Sequence, residues 1–189
     1  MKLLTEYFVD GSRFMGEDGQ FHNGYAVVTQ HKVGTAEQLP PRISAQEVEL
    51  KALTEVCKMV KGKKLNIYMD SRYAFGIAHD YGPIWRARGF LTSTGQPIKN
   101  KDSVLELMNS LLPEEVAIIK VKAHTRHTTV EAKGNDRADK AAKQAALQPV
   151  KTVPTLKPED VSVSMLQKMT DQAPPEEGKI TLGKARGQG

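Results

Sequence analysis

SAQEVELKALTEVCKMV, residues 44–60, followed directly by KGKKLNIYMDS, residues 61–71, decides how this chain is built. In the first segment Val48, Leu50, Leu53, Val56, Cys57 and Val60 recur mostly at three- and four-residue steps, the period of a helix with one apolar face. Ser44 and Glu47 have capping-box spacing, in which each side chain accepts from the other's backbone N–H, so the helix starts at Ser44. Residues 63–71 then turn to a β-rich run that closes on Asp70 and Ser71. A helix with one apolar stripe needs a layer to cover it, and a strand immediately after it makes that layer a sheet.

Toward the N-terminus the β pattern continues. TEYFVDGS, residues 5–12, ends in a turn signal at Asp10-Gly11-Ser12, and HNGYAVVTQ (22–30) and VGTAEQL (33–39) read as two further strands of an antiparallel meander. Toward the C-terminus come a short helix over 72–81, a Pro-containing basic segment to 101, and an amphipathic helix over 102–112 stopped by Pro113. A last strand over 115–124 and a last helix over 133–148 complete the order βββ-α-β-α-α-β-α. That order excludes a helical bundle and predicts an α/β fold, a mixed sheet flanked by helices.

Composition narrows the class. In 189 residues, 39% hydrophobic and 26% charged is a globular balance, and one core needs no disulfides at this length. No apolar run approaches the roughly 20 residues of a membrane span, and Glu6 and Asp10 interrupt the N-terminal apolar pair before a signal-peptide core develops. Cys57 is the sole cysteine, which excludes an intrachain disulfide framework and a Cys-based zinc site and fits a reducing intracellular setting, cytoplasm or nucleus. The net charge of +5 points to an anionic partner. After Gln148 the composition shifts: residues 149–189 hold five of the ten prolines, no aromatic residue and a glycine-rich end. The expectation is one domain over 1–148 and a linker or largely disordered extension over 149–189, with one helix near 158–172.

Four carboxylates carry the chemistry: Asp10 and Asp70 after β-type runs, Glu49 and Asp139 in helix-type segments. Singly, each has a plainer reading. Asp10 before Gly11 is a turn former, Glu49 a solvated helix residue, Asp70 a cap, and Asp139 an i,i+4 partner of Lys143. Gathered by a fold, they form an oxygen-rich site for hard divalent cations and point to metal-assisted phosphodiester chemistry. The 21 residues 81–101 contain Arg86, Arg88, Lys99 and Lys101, no acidic residue, and Trp85 and Phe90 interleaved, which reads as a nucleic-acid backbone contact or else a solvated face.

FVDGS, ISAQEVELKALTEV, KKLNIYMDSRYAF, IWRARGFLTSTGQPIKNKD and GNDRADKAAKQAA, in this order and spacing, resemble the ribonuclease H domain of gammaretrovirus-type reverse transcriptases over about residues 5–148. The resemblance implies a ribonuclease H-like fold, a five-stranded mixed sheet with strands 1–3 antiparallel and strands 4 and 5 parallel to strand 1. It implies two Mg²⁺ ions, with Mn²⁺ able to substitute: Asp10 bridging, Glu49 and Asp70 completing one shell, and Asp139 serving the other. His124 matches a histidine that assists proton transfer or product release, although this loop has no glycine between His124 and Gly134. Ser44, Gln46 and Tyr73 match a grip on the DNA strand, with a helix cap an equal reading for Ser44. Trp85, Arg86 and Arg88 match a basic helix-and-loop. Asn135 matches a substrate-side position, but Asn135-Asp136 reads better as the caps of the last helix.

The implied activity is metal-dependent endonucleolytic cleavage of the RNA strand of RNA–DNA hybrids, leaving 3′-hydroxyl and 5′-phosphate ends. The implied settings are an isolated monomer, or a longer polyprotein with polymerase before and integrase after, in a cell or a virion. Two other readings use the same fold: a nucleic-acid-binding module that has lost catalysis, and a transposase or integrase core. The intact set of four carboxylates disfavours the first, and Asp139 on a last helix together with the basic segment disfavours the second.

Overall fold

In the computed structural model, which describes residues 4–111, 113, 115–123 and 128–149, five strands form one sheet. They are β1 (Leu4–Met15), β2 (Phe21–Val28), β3 (Val33–Leu39), β4 (Lys64–Met69) and β5 (Glu115–Lys120), in the order β3-β2-β1-β4-β5. β1 is antiparallel to β2, with Asp10 opposite Ala26, and β2 is antiparallel to β3. β4 is parallel to β1, with Phe8 opposite Tyr68, and β5 is parallel to β4. This is the mixed sheet expected from the order of elements.

Parallel neighbours require crossovers, and these supply the helices. They are α1 (Ala45–Met59), α2 (Arg72–Gly76), α3 (Gly82–Ala87), α4 (Lys101–Asn109) and α5 (Val130–Ala146). Adjacent strand residues point to opposite faces, and the core divides accordingly. Val9, Val27, Ile67 and Met69 pack with Leu50, Leu53, Val56 and Cys57 of α1 and with Val104 and Leu107 of α4. Their neighbours Phe8, Ala26, Val28 and Tyr68 pack against Ala138, Ala141 and Ala142 of α5. Each fully buried Val, Leu, Ile or Phe contributes about 1.5–3 kcal/mol, so packing rather than helix propensity holds α1 in place.

α5 has small residues for a reason. A Cβ built on Gly134 would lie 2.2 Å from the Phe8 ring, so this helix reaches β1 only because position 134 has no side chain.

The structure corrects three local expectations. α5 starts at Val130, not 133, because the Thr129 hydroxyl accepts from Ala132 N at 3.1 Å; Asn135 and Asp136 therefore lie inside the helix and do not cap it. The helix after β4 continues beyond 81: Gly82 N donates to Ile77 O five residues back, in a π-helical turn (Ile77–Tyr81) that leads into α3. Pro83, which lacks an N–H, falls at the start of that last piece, where its missing donor costs least. Finally, Phe90 does not face a nucleic acid. It is 1% exposed in the α1-side core, and its φ of 59° shows that burial of the ring outweighs an unfavourable backbone conformation. Among the described residues no helix is long and apolar enough to cross a membrane. His124 and residues 150–189, with the helix expected near 158–172, lie outside the described residues.

Candidate active site

Asp10 lies on the central strand β1 and is 4% exposed. The next residue, Gly11, sets its surroundings: a Cβ there would come within 2.8 Å of Val48 Cγ1 and 3.0 Å of Glu49 N. α1 can lie this close to β1 only with glycine at position 11, and the close approach brings Glu49 beside Asp10. α1 is registered by its capping box, with Ser44 N donating to Glu47 Oε2 (2.7 Å) and Glu47 N to Ser44 Oγ (3.2 Å). Asp70 follows β4, the parallel neighbour of β1. Ser71 begins α2 by accepting from Ala74 N, so the cap is Ser71 rather than Asp70, whose carboxylate is left for the site.

Asp10, Glu49 and Asp70 each offer an oxygen within 4.8 Å of the others. Burial and like charge dominate the site. Asp10 is raised to about 9, first by burial and then by Glu49, Asp70 and Asp139; Glu49 is raised to about 8 by burial and then by Asp70. The Gly11 N–H, which donates to Asp10 Oδ1 at 2.9 Å, opposes part of that shift. Glu49 Oε2 is buried with no hydrogen-bond partner among the described residues. An orphaned carboxylate oxygen facing like charges, in an all-oxygen donor set, fits a hard divalent cation such as Mg²⁺ and does not fit a thiolate- or imidazole-seeking metal.

Asp139 is not in that triad. Its Oδ2 accepts from Lys143 Nζ at 2.8 Å, the i,i+4 pairing also read from the sequence, while its charge still reaches Asp10 and Glu49.

The other site residues fall into two groups and a single residue, Asn135. Gln46 in the first turn of α1 and Tyr73 in α2 are joined by Asn100, whose Nδ2 donates to Gln46 Oε1 (3.2 Å) and Tyr73 OH (3.0 Å). Asn100 was missed in the sequence. It precedes α4 at φ 57°, a conformation asparagine tolerates, and its side chain makes no cap bond, so it is free for these contacts to residues distant in sequence. Trp85 is half-buried and stacks on Tyr81 with centroids 5.6 Å apart, Arg86 donates to Asn109 Oδ1 at 3.1 Å, and Arg88 is exposed at the end of α3. Asn135 is 6% exposed, and its Nδ2 donates to Asp70 Oδ2 at 3.1 Å.

A three-strand meander, two parallel strands and carboxylates on β1, α1 and the end of β4 define a ribonuclease H-like protein. The RNase H family model matches residues 4–147, and the chain belongs to that family, as a domain of the retroviral type. It is 46% identical over 155 residues to the Pol polyprotein of Radiation murine leukemia virus (strain Kaplan), covering 82% of this chain and 26% of that protein. The chain thus spans about a quarter of that relative's length. Among solved structures, the PFV RNase H domain superposes with a TM-score of 0.63 at 24% identity, covering 75% of this chain and 93% of that one. The foamy viral protease-reverse transcriptase in complex with RNA/DNA hybrid superposes with a TM-score of 0.60 at 22% identity, covering 75% and 20%.

Proposed function

We propose that this chain hydrolyses the RNA strand of RNA–DNA hybrids, with two divalent ions, Mg²⁺ or in its place Mn²⁺, held by Asp10, Glu49, Asp70 and Asp139. The observation that carries the reading is the convergence of three carboxylates within 4.8 Å around a buried, unpartnered Glu49 oxygen in a chain of this family. When bound, two such ions supply an activated water and stabilise the departing oxygen of an in-line displacement. Asp10, on the central strand and 4% exposed, would be the shared ligand, and Glu49 and Asp70 would complete one shell. Asp139, whose Oδ2 here accepts from Lys143, would serve the other. His124 would act in proton transfer or product release.

The chain's other residues hold the duplex. Ser44, Gln46 and Tyr73 grip the DNA strand, with Gln46 and Tyr73 kept in register by Asn100. Trp85, Arg86 and Arg88 meet the backbone on α3, giving affinity without sequence preference. The hybrid is the substrate because a mixed duplex presents 2′-hydroxyls on one strand only. Partners of this kind agree with the similar proteins, one relative being a Pol polyprotein and one structural neighbour having been solved in complex with an RNA/DNA hybrid.

The test is cleavage of a uniformly labelled hybrid by the full chain in Mg²⁺, beside double-stranded RNA and DNA of the same sequence. The reading predicts cutting of the hybrid's RNA strand alone, with products that a polymerase extends from 3′-hydroxyl ends. Hybrid binding without cleavage, in Mg²⁺ and in Mn²⁺, would make the chain a binding module instead.

A further inference from the structure

Asp70 is held by a partner whose purpose the site so far leaves unexplained. Asn135 lies one turn ahead of Asp139 on α5, inside the helix and 6% exposed, and its Nδ2 donates to Asp70 Oδ2 at 3.1 Å. Charge fixes this orientation, since the amide turned over would set its carbonyl oxygen against a carboxylate. Its Oδ1 is buried and has no partner among the described residues. A side chain present only to tie α5 to β4 gains nothing from burying an unsatisfied acceptor, which costs about 1–3 kcal/mol. A side chain required at one carboxylate oxygen can carry that cost. The approach is built into the backbone too, because Gly134, the preceding residue, lets α5 meet Phe8 of β1.

We infer that Asn135 is a positioning residue for Asp70. Its amide occupies Oδ2, fixes the carboxylate plane, and leaves Oδ1 as the single oxygen offered toward Asp10 and Glu49. Asp70 is then a one-oxygen ligand, which suits an ion that demands near-octahedral angles and keeps several waters. Groups that orient a metal ligand in this way are worth about 10–100-fold in metal affinity. The inference rests on the metal-site reading above and differs from a substrate contact, which would act on the hybrid and not on the ion.

The test is calorimetric titration of Mg²⁺ and Mn²⁺ into the metal-stripped full chain, for wild type, Asn135→Ala and the near-isosteric Asn135→Leu. Metal-free unfolding and metal-free hybrid affinity are measured alongside. Both variants are expected to bind the ions about 10–100-fold more weakly, with hybrid affinity without metal unchanged. The Leu variant decides the matter if the Ala variant does not fold. Unchanged metal affinity with weakened hybrid binding would make Asn135 a substrate contact and overturn the inference. Unchanged metal affinity with only a lower melting temperature would make it a structural tie and overturn it equally. A wild-type chain that takes up no divalent ion would sink the metal reading of the whole site, whereas equal binding by all three proteins would remove only the role of Asn135.

Discussion

Asp10 and Glu49 hold their protons more tightly than ordinary carboxyls because they are buried and surrounded by like charge. This has a sign. A carboxyl whose folded value is raised binds protons better in the native chain than in the unfolded one, so stability from it is greatest at acid pH. That contribution falls as pH rises from the ordinary carboxylate range through about 8 to 9. The metal-free protein should therefore melt lower at pH 8.5 than at pH 5.5 on account of this pair. Asp10→Asn should flatten that slope and raise the metal-free melting temperature at pH 8.5, by roughly 2–4 °C for each kcal/mol relieved in a chain of this size. Calorimetric scans in chelator check both, and a wild-type slope matched by Asp10→Asn would contradict the electrostatic picture. At this scale the sequence was partly legible. The carboxylates and Asn135 all stood in recognisable strings, but the place of Asn135 was misread: Asn-Asp before a polar run looks like a cap, and only the Thr129 bond to Ala132 N shows that the helix is already under way.

The elements place these residues through contacts that local patterns do not carry. The segment before α1 is pinned from the strands: buried Asn23 on β2 donates to Pro40 O (2.7 Å) and Ile43 O (3.1 Å), and Arg13 on β1 donates to Pro41 O (2.9 Å) and to Ile43 O. Asn23→Ala leaves two carbonyls without that donor just ahead of the Ser44 cap, so a loss of about 1–3 kcal/mol is expected by denaturant unfolding. A loss near zero would show that water replaces the bonds. α3 and its C-terminal end carry basic charge in Arg86 and Arg88, both exposed. Arg86→Glu with Arg88→Glu, measured in an Asp70→Asn background so that the hybrid survives, should weaken hybrid binding and reduce the slope of log K against log salt by about 2. An unchanged slope would mean that these arginines face solvent only. The periodicity of residues 44–60 made α1 plain, and β-type runs made the strands plain, because both signals are local. Phe90 misled for the opposite reason: its basic neighbours suggest a stacking surface, whereas it is buried in the cluster that includes residues of α1, some thirty residues or more away in sequence.

The whole molecule joins an antiparallel meander to two parallel strands, and the site forms where α1 and the end of β4 converge on the central β1. Element order alone predicted a mixed sheet; its strand order and the meeting of residues 10, 49 and 70 are long-range facts that only the family resemblance made readable. Because carboxylates that repel one another are built into the core, a divalent ion should stabilise the entire fold by mass action. Millimolar Mg²⁺ is expected to raise the wild-type melting temperature and leave that of Asp10→Asn nearly unchanged; equal shifts in both would place the ion elsewhere. The most direct measurement remains the reaction itself: Mg²⁺-dependent cleavage of a labelled RNA–DNA hybrid by the wild-type chain beside Asp70→Asn, both shown to be folded. The account predicts cutting of the RNA strand by wild type, its loss in chelator, and a fall of at least about a hundredfold in the variant, since losing a metal ligand costs more than losing a group that orients one. No metal-dependent cutting by wild type, or equal cutting by both proteins, would contradict it.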